Sequence, residues 1–486
     1  MSELPPDLDA PSLLDPRDWV AFREEAHKAL DTALDFVQQR PEQPVWQPLP
    51  DSIKAVDAPL PAGAQPLASV VDTFSERVLP YSLGNTHPRF WGWVHGSGTP
   101  SALVSQMMMA ALNANMGGRD HAPMYIERQL IQWMRELFDF PSHSSGLIVS
   151  GTSSATLLGL AVARHRKTDG RSREQGNADR ALVAYTSCES HVSVSKALEL
   201  MGLGSAALRS VPVGDDHAMD CLALKKMVTG DLERGLVPFA VVSTVGTVNT
   251  GAIDDLPTIN TLCAEYALWH HVDGAFGALL ALSENLKPRL RGIEQADSLA
   301  FDFHKWMHVG YSVGCLLVRD GDMHRQTFSA KPDYLQTEEA GIAGGAPWPT
   351  DYGVELSRGF MALAVWFQLQ EMGTVKLGQA IERNCLQAAW LGAQVVLNPA
   401  LELITPVQLN IVCFRYVNAT LDTAAMDVLN KRIVVELHCR GIAAPSTTVL
   451  DGLSVIRVCI TNHRTRQRDL QALVDAVVDI GHQLLA

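Results

Sequence analysis

Two apolar runs, LWHHVDG at residues 268–274 and SLAFDFHKW at residues 298–306, decide the fold. Short apolar runs that alternate with helix-length segments are typical of a mainly parallel sheet covered on both faces. Asp273 closes the first run, and Lys305 follows the strand-like part of the second. Because the interval between them fits one helix and one strand, we expect both residues at the same edge of neighbouring strands.

The same alternation extends in both directions from these two runs. Between residues 145 and 320 the other strand-like runs are GLIVS (146–150), ALVAYTS (181–187), PFAVVSTV (238–245) and VGCLLVRD (313–320). A helical stretch follows near residues 358–396, and the tail alternates the runs LELIT, LNIVCFRYV and LSVIRVCIT with helices over residues 423–439 and at the end. We therefore predict an α/β fold with a large domain over residues 91–375 and a small α+β domain over residues 376–486.

A helical N-terminal arm, assigned to residues 1–90, precedes the large domain. Apolar residues recur at steps of three and four over residues 17–40, which predicts a helix. Seven prolines between residues 41 and 66 predict an extended connector after it. Residues 328–353 are rich in Gly, Pro and Ala, and a long loop of this kind indicates a mobile functional element.

The composition excludes several classes of function. The chain has 486 residues and a net charge of −14, and a nucleic-acid-binding surface would need clustered positive charge. No apolar run is long enough to cross a bilayer, and the N-terminus is acidic and Pro-rich, so we expect a cytoplasmic protein. The eight cysteines form no CxxC pair, which favours buried reduced thiols and indicates no metal site.

Polar residues follow the first two strand-like runs. Gly151, Thr152 and Ser153 come after GLIVS and open an apolar helix. Backbone N–H groups and the helix dipole favour an anion there, although a plain N-cap is the commoner meaning of such a sequence alone. His191 follows ALVAYTS, where it is a candidate for either a structural or a catalytic role.

Asp273 and Lys305 complete the set of candidate residues. A carboxylate at the end of an apolar strand is costly to bury unless a cation meets it. Lys305 stands between His304 and Trp306, where desolvation favours an amine that can attack a carbonyl. An anion site, a buried acid, an amine and a histidine match pyridoxal 5′-phosphate, which carries a phosphate, a pyridine nitrogen, an aldehyde and a flat ring.

Eight motifs resemble the group II pyridoxal-phosphate-dependent amino-acid decarboxylases, such as the aromatic-amino-acid, histidine, glutamate and cysteine-sulfinate enzymes. They are FDFHKW (301–306), WHHVDGAF (269–276), SCESHVSVSKAL (187–198), IVSGTSSATLLGLAVAR (148–164), NTHPRFWGW (85–93), ALNANMGG (111–118), VELSRGF (354–360) and VIRVCITNHRT (455–465). The resemblance covers most of the chain and implies fold type I of the pyridoxal-phosphate enzymes. It also implies a homodimer with shared active sites and N-terminal arms that wrap the partner.

The resemblance implies a role for each matching residue. The implied cofactor-binding residues are Lys305 as the Schiff-base lysine, Asp273 at the pyridine nitrogen, Ala275 and His191 on the two faces of the ring, Thr152, Ser153 and His304 at the phosphate, and Thr247 in the turn STVGTV. The implied substrate residues are Trp93, His95, Asn113 and Arg457. Trp93 favours an aromatic or apolar side chain, whereas Asn113 and Asn115 favour a polar one, so the sequence leaves the amino acid open.

The implied reaction is the α-decarboxylation of an L-amino acid to the amine and CO₂, with Lys305, His191 and Tyr352 as catalytic residues. Tyr352, near the end of the loop, is the candidate proton donor to Cα, and Tyr334 is a second loop tyrosine. A decarboxylating aldehyde synthase that uses O₂ is one alternative. A non-catalytic binding protein with the same fold is another.

Overall fold

Two sheets organise the chain in the computed structural model, which describes residues 14–55, 57, 59–177, 181–330 and 336–486. The strands are β1 Ser145–Val149, β2 Leu182–Ser187, β3 Leu208–Val211, β4 Val237–Thr244, β5 Trp269–Asp273, β6 Ser298–Asp302, β7 Gly314–Val318, β8 Leu401–Leu403, β9 Ile411–Tyr416, β10 Ser446–Leu450 and β11 Leu453–Cys459. The first α-helices are α1 Trp19–Gln39, α2 Asp51–Lys54, α3 Leu67–Arg77, α4 Pro100–Leu112, α5 Ala122–Leu137, α6 Thr152–Lys167, α7 Ser172–Gln175 and α8 Ser193–Leu200. They are followed by α9 Cys221–Glu233, α10 Leu256–Glu265, α11 Phe303–Trp306, α12 Gly321–Phe328, α13 Ala362–Leu397, α14 Thr423–Cys439 and α15 Gln467–Leu485.

The larger sheet has the strand order β1-β7-β6-β5-β4-β2-β3. Neighbouring strands are parallel except at β7, which runs antiparallel to both β1 and β6. All strands other than β7 therefore point the same way, and their carboxyl ends share one edge. Thr244 pairs with Asp273 across β4 and β5, and Asp273 pairs with Ala300 on β6. The prediction that Asp273 and Lys305 follow two neighbouring strands is confirmed.

Helices cover both faces of the larger sheet because its central strands are apolar on both sides. Alternate residues of β6 show this: Ala300 packs in the core cluster that contains α6, whereas Leu299 and Phe301 pack in the cluster that contains α13. The opposite face of β2 and β4 packs against α9 and α10. This double cover is the reason that near-continuous apolar runs predict the strands.

The smaller sheet is antiparallel, with the order β10-β11-β9-β8. Helices α14 and α15 pack on it and form a core cluster with the inner faces of β9 and β11. The predicted helix over 423–439 is α14, and the predicted run LSVIRVCIT contains β11. The pattern misses β3 and β10, because LRSV and STTVL are edge strands in which two and three positions are polar, so neither forms an apolar run.

The predicted N-terminal helix is α1, which begins after Asp18 because the Asp18 carboxylate accepts hydrogen bonds from the N–H groups of Val20 and Ala21. The Pro-rich connector contains the short helix α2. Within the described part of the chain, no helix is long and apolar enough to cross a membrane. The same residues include no group of three or more His, Cys, Asp and Glu placed to hold a metal ion.

Candidate active site

The carboxyl ends of β1, β4, β5 and β6 surround a cavity of about 370 Å³. Residues of β10 and β11 close it from the side of the smaller sheet. An open α/β sheet places its ligand at this edge, so the cavity is the candidate active site. The sequence-predicted residues that line it are Trp93, Thr152, Ser153, His191, Asp273, Ala275, His304, Lys305 and Arg457.

Asp302 is the immediate partner of Lys305, and the sequence analysis does not assign it a role. Its Oδ2 lies 2.7 Å from Lys305 Nζ, and its Oδ1 accepts a hydrogen bond from the Thr152 N–H at 2.7 Å. Asp302 is 1% exposed, whereas the Lys305 side chain is 21% exposed. The carboxylate therefore ties the amine to the end of β6 and to the first turn of α6. Its position directly after SLAF, at a strand end, is the signal that could have identified it.

Asp273 is the second buried carboxylate of the cavity. Its Oδ1 accepts a hydrogen bond from the Ala275 N–H at 3.1 Å. Burial raises the pKa of Asp273, and the positive charge of Lys305 opposes that rise. Lys305 is already paired with Asp302, so a further cationic group in the cavity would stabilise the ionised form of Asp273.

His191 reaches the cavity from the loop after β2. The Ser193 N–H donates to His191 Nδ1 at 3.3 Å, and Ser193 Oγ lies 2.8 Å from the same nitrogen. Because Nδ1 accepts the backbone N–H, this hydrogen bonding assigns the proton of the neutral ring to Nε2. Desolvation lowers the pKa of His191, and the negative charge of Asp273 partly opposes this. The ring is therefore neutral at pH 7.

The first turn of α6 forms one end of the cavity, whereas Thr244 ends β4 beside Asp273. Thr152 Oγ1 and Thr244 Oγ1 are both buried, and neither has a hydrogen-bond partner in the described structure. An unpartnered buried hydroxyl carries a desolvation penalty. Ser153 follows Thr152, His304 also lines the cavity, and the Val313 N–H holds the His304 ring through Nδ1 at 3.1 Å. An anion at this helix N-terminus would satisfy the Thr152 hydroxyl.

This set of groups fits pyridoxal 5′-phosphate. The helix N-terminus with the unpartnered Thr152 hydroxyl fits a phosphate, Asp273 fits a protonated pyridine nitrogen, and the Lys305 amine fits an aldehyde. Ala275 lines the cavity next to Asp273 and contributes only a methyl group, which leaves space for a flat ring. The fit rests on the unpartnered Thr152 hydroxyl and the buried carboxylate, both of which are costly without such a ligand.

Arg457 and Trp93 form the wall opposite Lys305. Arg457 is buried on β11, and its guanidinium donates to the carbonyl of Trp93 at 2.9 Å, to that of Asn249 at 3.1 Å and to that of Val248. Trp93 has a φ of 51°, in the left-handed region, and its ring lies 5.9 Å from that of His95. Arg457 was predicted to bind the substrate. In the structure its guanidinium donates to backbone carbonyls of this wall.

His95 lies behind this wall. Its Nδ1 is 3.2 Å from the hydroxyl of Tyr311, and its ring packs edge-on against Phe90 with 5.6 Å between ring centroids. Burial lowers the pKa of His95, and the nearby positive charge of Lys305 lowers it further. The lowered pKa makes His95 a neutral residue close to the positive charge of Lys305. Its contact with the substrate stays a prediction.

Thr247 and Asn113, like His95, lie outside the cavity lining in the single chain. The Thr247 hydroxyl is buried in its own turn, 2.9 Å from Thr250 Oγ1, and accepts a hydrogen bond from the Ala252 N–H. Asn113 ends helix α4 as an exposed residue with a φ of 44°. The implied roles of both residues at the cofactor or the substrate remain predictions.

Tyr352 also lies away from Lys305 in the single chain. It lines a separate cavity with Ser145 and Gly146 at the start of β1, and its ring is 5.1 Å from that of His324. β1 leads from there to the active site over a strand of five residues, which span roughly 15 Å. Its role as proton donor stays a prediction. The other loop tyrosine, Tyr334, lies outside the described residues.

The chain was compared with known proteins. A family model described as the pyridoxal-dependent decarboxylase conserved domain matches residues 50–417. The aromatic-L-amino-acid decarboxylase of Bacillus atrophaeus is 31% identical over 473 residues, which cover 95% of this chain and 96% of that one. A phenylacetaldehyde synthase of a Rosa hybrid cultivar is 23% identical over 496 residues, which cover 97% and 96%. The crystal structure of Oryza sativa TDC with PLP and tryptamine has a TM-score of 0.90 at 24% identity, and the match covers 97% of this chain and 100% of that one.

The fold is fold type I, and the family model makes the chain a pyridoxal-phosphate-dependent enzyme. Matches over most of the chain narrow this class further. The chain belongs to the pyridoxal-dependent decarboxylase family, and it is a carboxy-lyase that acts on amino acids with pyridoxal 5′-phosphate as its cofactor. The predicted family, fold class and cofactor are confirmed.

Proposed function

We propose that the enzyme converts an L-amino acid to its amine and CO₂, with the cofactor held on Lys305. The strongest support is the placement of two buried carboxylates near the Lys305 amine, of which one pairs with the amine and the other does not. Asp302 pairs with Lys305 at 2.7 Å, whereas Asp273 is buried at the end of the neighbouring strand and is open to a second cation. That arrangement suits an amine that holds an aldehyde and a carboxylate that holds a ring nitrogen.

Each end of the cavity has a separate task in this proposal. When bound, pyridoxal 5′-phosphate supplies an aldehyde for the amine and a ring that withdraws electrons from the substrate Cα. Asp273 keeps a proton on the pyridine nitrogen through the attraction of its ionised form. The start of α6, through Ser153 and the hydroxyl of Thr152, binds the phosphate. The small side chain of Ala275 admits the ring.

His191 has the best-placed neutral donor for the reacting end. Its Nδ1 is engaged by Ser193, so its Nε2 proton is available to the cavity. A neutral imidazole can hydrogen-bond to a substrate carboxylate without fixing it by charge, which allows CO₂ to leave. The reaction then requires a proton at Cα. Either His191 Nε2 supplies it, or a loop tyrosine does so after moving to the cavity.

The cavity wall favours an aromatic or apolar substrate side chain. Trp93, Phe276 and Val248 line it. Arg457 lines the cavity on that wall, and it already donates to three backbone carbonyls and to Ser446 Oγ. A side-chain carboxylate would have to displace one of these partners. Initial rates on a panel of aromatic, acidic and basic L-amino acids test this, and a preference for glutamate or cysteine sulfinate would overturn it.

An aldehyde synthase is the second candidate function. The relative named phenylacetaldehyde synthase and the distance of Tyr352 from Lys305 favour it. The experiment is the stoichiometry of products from one substrate at saturation. Equal amounts of CO₂ and amine, without O₂ uptake, support decarboxylation alone. Consumption of O₂ with release of aldehyde, ammonia and hydrogen peroxide would replace it by the oxidative reaction.

We also propose that the enzyme is a homodimer with shared active sites. Helix α4 ends at Asn113, one of the predicted substrate residues. The helix carries four large apolar side chains that are 38–58% exposed, namely Val104, Met107, Met108 and Leu112. Helices α1 and α3 expose further apolar residues, including Trp19, Val20 and Phe74. Large apolar patches of this kind mark association surfaces. Sedimentation of the full chain tests this, and deletion of residues 1–70 should give insoluble or inactive protein.

A further inference from the structure

Asn249 stands where the two sheets meet at the cavity. It lies in the turn after β4 and lines the cavity itself. Its Nδ2 donates to Glu189 Oε2 at 2.9 Å, and its Oδ1 accepts from Thr448 Oγ1 at 2.8 Å. Glu189 precedes His191 by two positions, and Thr448 belongs to β10 of the smaller sheet. One amide therefore connects the loop that carries His191 with the opposite wall of the cavity.

The backbone of Asn249 is fixed from a second direction. Its carbonyl accepts a hydrogen bond from Arg457 Nε at 3.1 Å and one from Cys413 Sγ at 3.3 Å. Arg457 belongs to β11 and Cys413 to β9, and Arg457 also holds the Trp93 carbonyl at 2.9 Å. The turn is thus anchored on the smaller sheet, and the Asn249 side chain extends this anchorage to the His191 loop.

We propose that Asn249 is a positioning residue for His191, acting through the chain Glu189–Asn249–Thr448 (the amide bridge). An amide is suited to this position because it donates to a carboxylate and accepts from a hydroxyl at the same time. An aspartate at this position could accept from Thr448 but could not donate to Glu189, and the two carboxylates would repel each other. The inference rests on the proposed function, because it takes His191 to act at the reacting end.

The test exchanges the two partners. Asn249→Asp removes the donor of the bridge and should lower kcat about 10- to 100-fold, as expected for loss of a charged hydrogen bond. Glu189→Gln keeps an acceptor for Asn249 and should stay within about threefold of the wild type. The double variant Glu189→Gln/Asn249→Asp restores one hydrogen bond with reversed polarity, and its kcat should recover to within about threefold of the wild type. The matched control is Glu199→Gln, whose carboxylate pairs with Ser195 on its own helix and should leave kcat unchanged.

Two further readouts separate positioning from general stability. In a His191→Ala background, Asn249→Asp should change kcat by less than about threefold, because the bridge has no ring left to position. In cofactor-free protein, hydrogen exchange of the amides of residues 189–194 should be about tenfold faster in Asn249→Asp than in the wild type. The double variant should return to the wild-type exchange rate.

Three results would overturn the inference. They are a double variant as slow as Asn249→Asp, a full effect of Asn249→Asp in the His191→Ala background, and unchanged hydrogen exchange at residues 189–194. Absence of decarboxylation in the wild type would instead refute the proposed function. The exchange experiment does not depend on turnover, so it would still decide whether Asn249 holds the His191 loop.

Discussion

Removal of the Asp302 carboxylate should destabilise the cofactor-free protein through Lys305. In the wild type, Asp302 is 1% exposed and gives one oxygen to Lys305 Nζ and the other to the Thr152 N–H, each at 2.7 Å. Asp302→Ala leaves a largely buried ammonium and a backbone donor without these partners. Asp302→Asn leaves the ammonium without its counter-charge but keeps an acceptor for Thr152.

The magnitude follows from these contacts. Loss of one partner of a buried ion pair costs about 3–5 kcal/mol, and the 21% exposure of Lys305 places this case near 3 kcal/mol because water can reach the amine. The unpaired Thr152 N–H adds about 1–3 kcal/mol in Asp302→Ala. Unfolding entropies of about 2.1 cal/mol/K per residue give about 1 kcal/mol/K for a chain of this size. Tm should therefore fall by about 3 °C in Asp302→Asn and by about 5 °C in Asp302→Ala.

Differential scanning calorimetry of the cofactor-free variants at one scan rate measures this fall. The control is Glu265→Gln, which breaks the ion pair with Lys225, whose two side chains are 44% and 47% exposed. A pair in water contributes about 0–1 kcal/mol, so its Tm should change by less than about 1 °C. If Asp302→Ala were as stable as this control, the Asp302–Lys305 pair would not hold the amine, and the proposed roles of the two carboxylates would be wrong.

Three other predictions concern single residues. Lys305→Ala should abolish turnover and the visible absorbance of bound cofactor, and borohydride reduction of the wild type followed by peptide mapping should label Lys305 and no other lysine. Asp273→Asn should lower kcat by orders of magnitude, with Asp273→Glu less affected, because only a carboxylate stabilises a protonated ring nitrogen; near-wild-type kcat in Asp273→Asn would refute that role. Tyr352→Phe should slow amine formation and raise aldehyde, ammonia and peroxide, because the loop phenol predicted to protonate Cα is lost; a wild-type amine yield would instead leave His191 as the donor, in keeping with the packing of Tyr352 against His324 in the single chain.

The larger sheet could be predicted because its strands are apolar on both faces and the polar residues that matter follow them. The spacing of Asp273 and Lys305 predicted that both residues lie at the same edge of neighbouring strands, and the parallel pairing of β5 and β6 confirms this prediction. β3 and β10 escaped because edge strands need no continuous apolar run. The antiparallel direction of β7 could not be predicted either, since an apolar run in the sequence does not indicate the direction of its strand in the sheet.

The residues of the candidate site also differ in how far the sequence alone reveals them. Residues whose chemistry is rare at a strand end, such as Asp273 and Lys305, were identified from sequence. Asp302 was not identified, although it ends β6 as Asp273 ends β5. Asn249 carries no such signal, because its importance lies in a glutamate sixty positions earlier in the chain. Thr244 had no signal of its own either, and only its buried, unpartnered hydroxyl distinguishes it from an ordinary strand residue.

Arg457 shows why residue type alone leaves the substrate open. A guanidinium has five N–H donors. In this protein they meet the carbonyls of Trp93, Val248 and Asn249 and the hydroxyl of Ser446, so most of them are engaged before any substrate arrives. The charge of Arg457 still attracts anions, but its geometry is committed to holding the wall in place, and a planar bidentate contact with a carboxylate would require that wall to open. A carboxylate that reached Arg457 would therefore have to displace one of these partners, among them the carbonyl of Trp93, which itself lines the cavity.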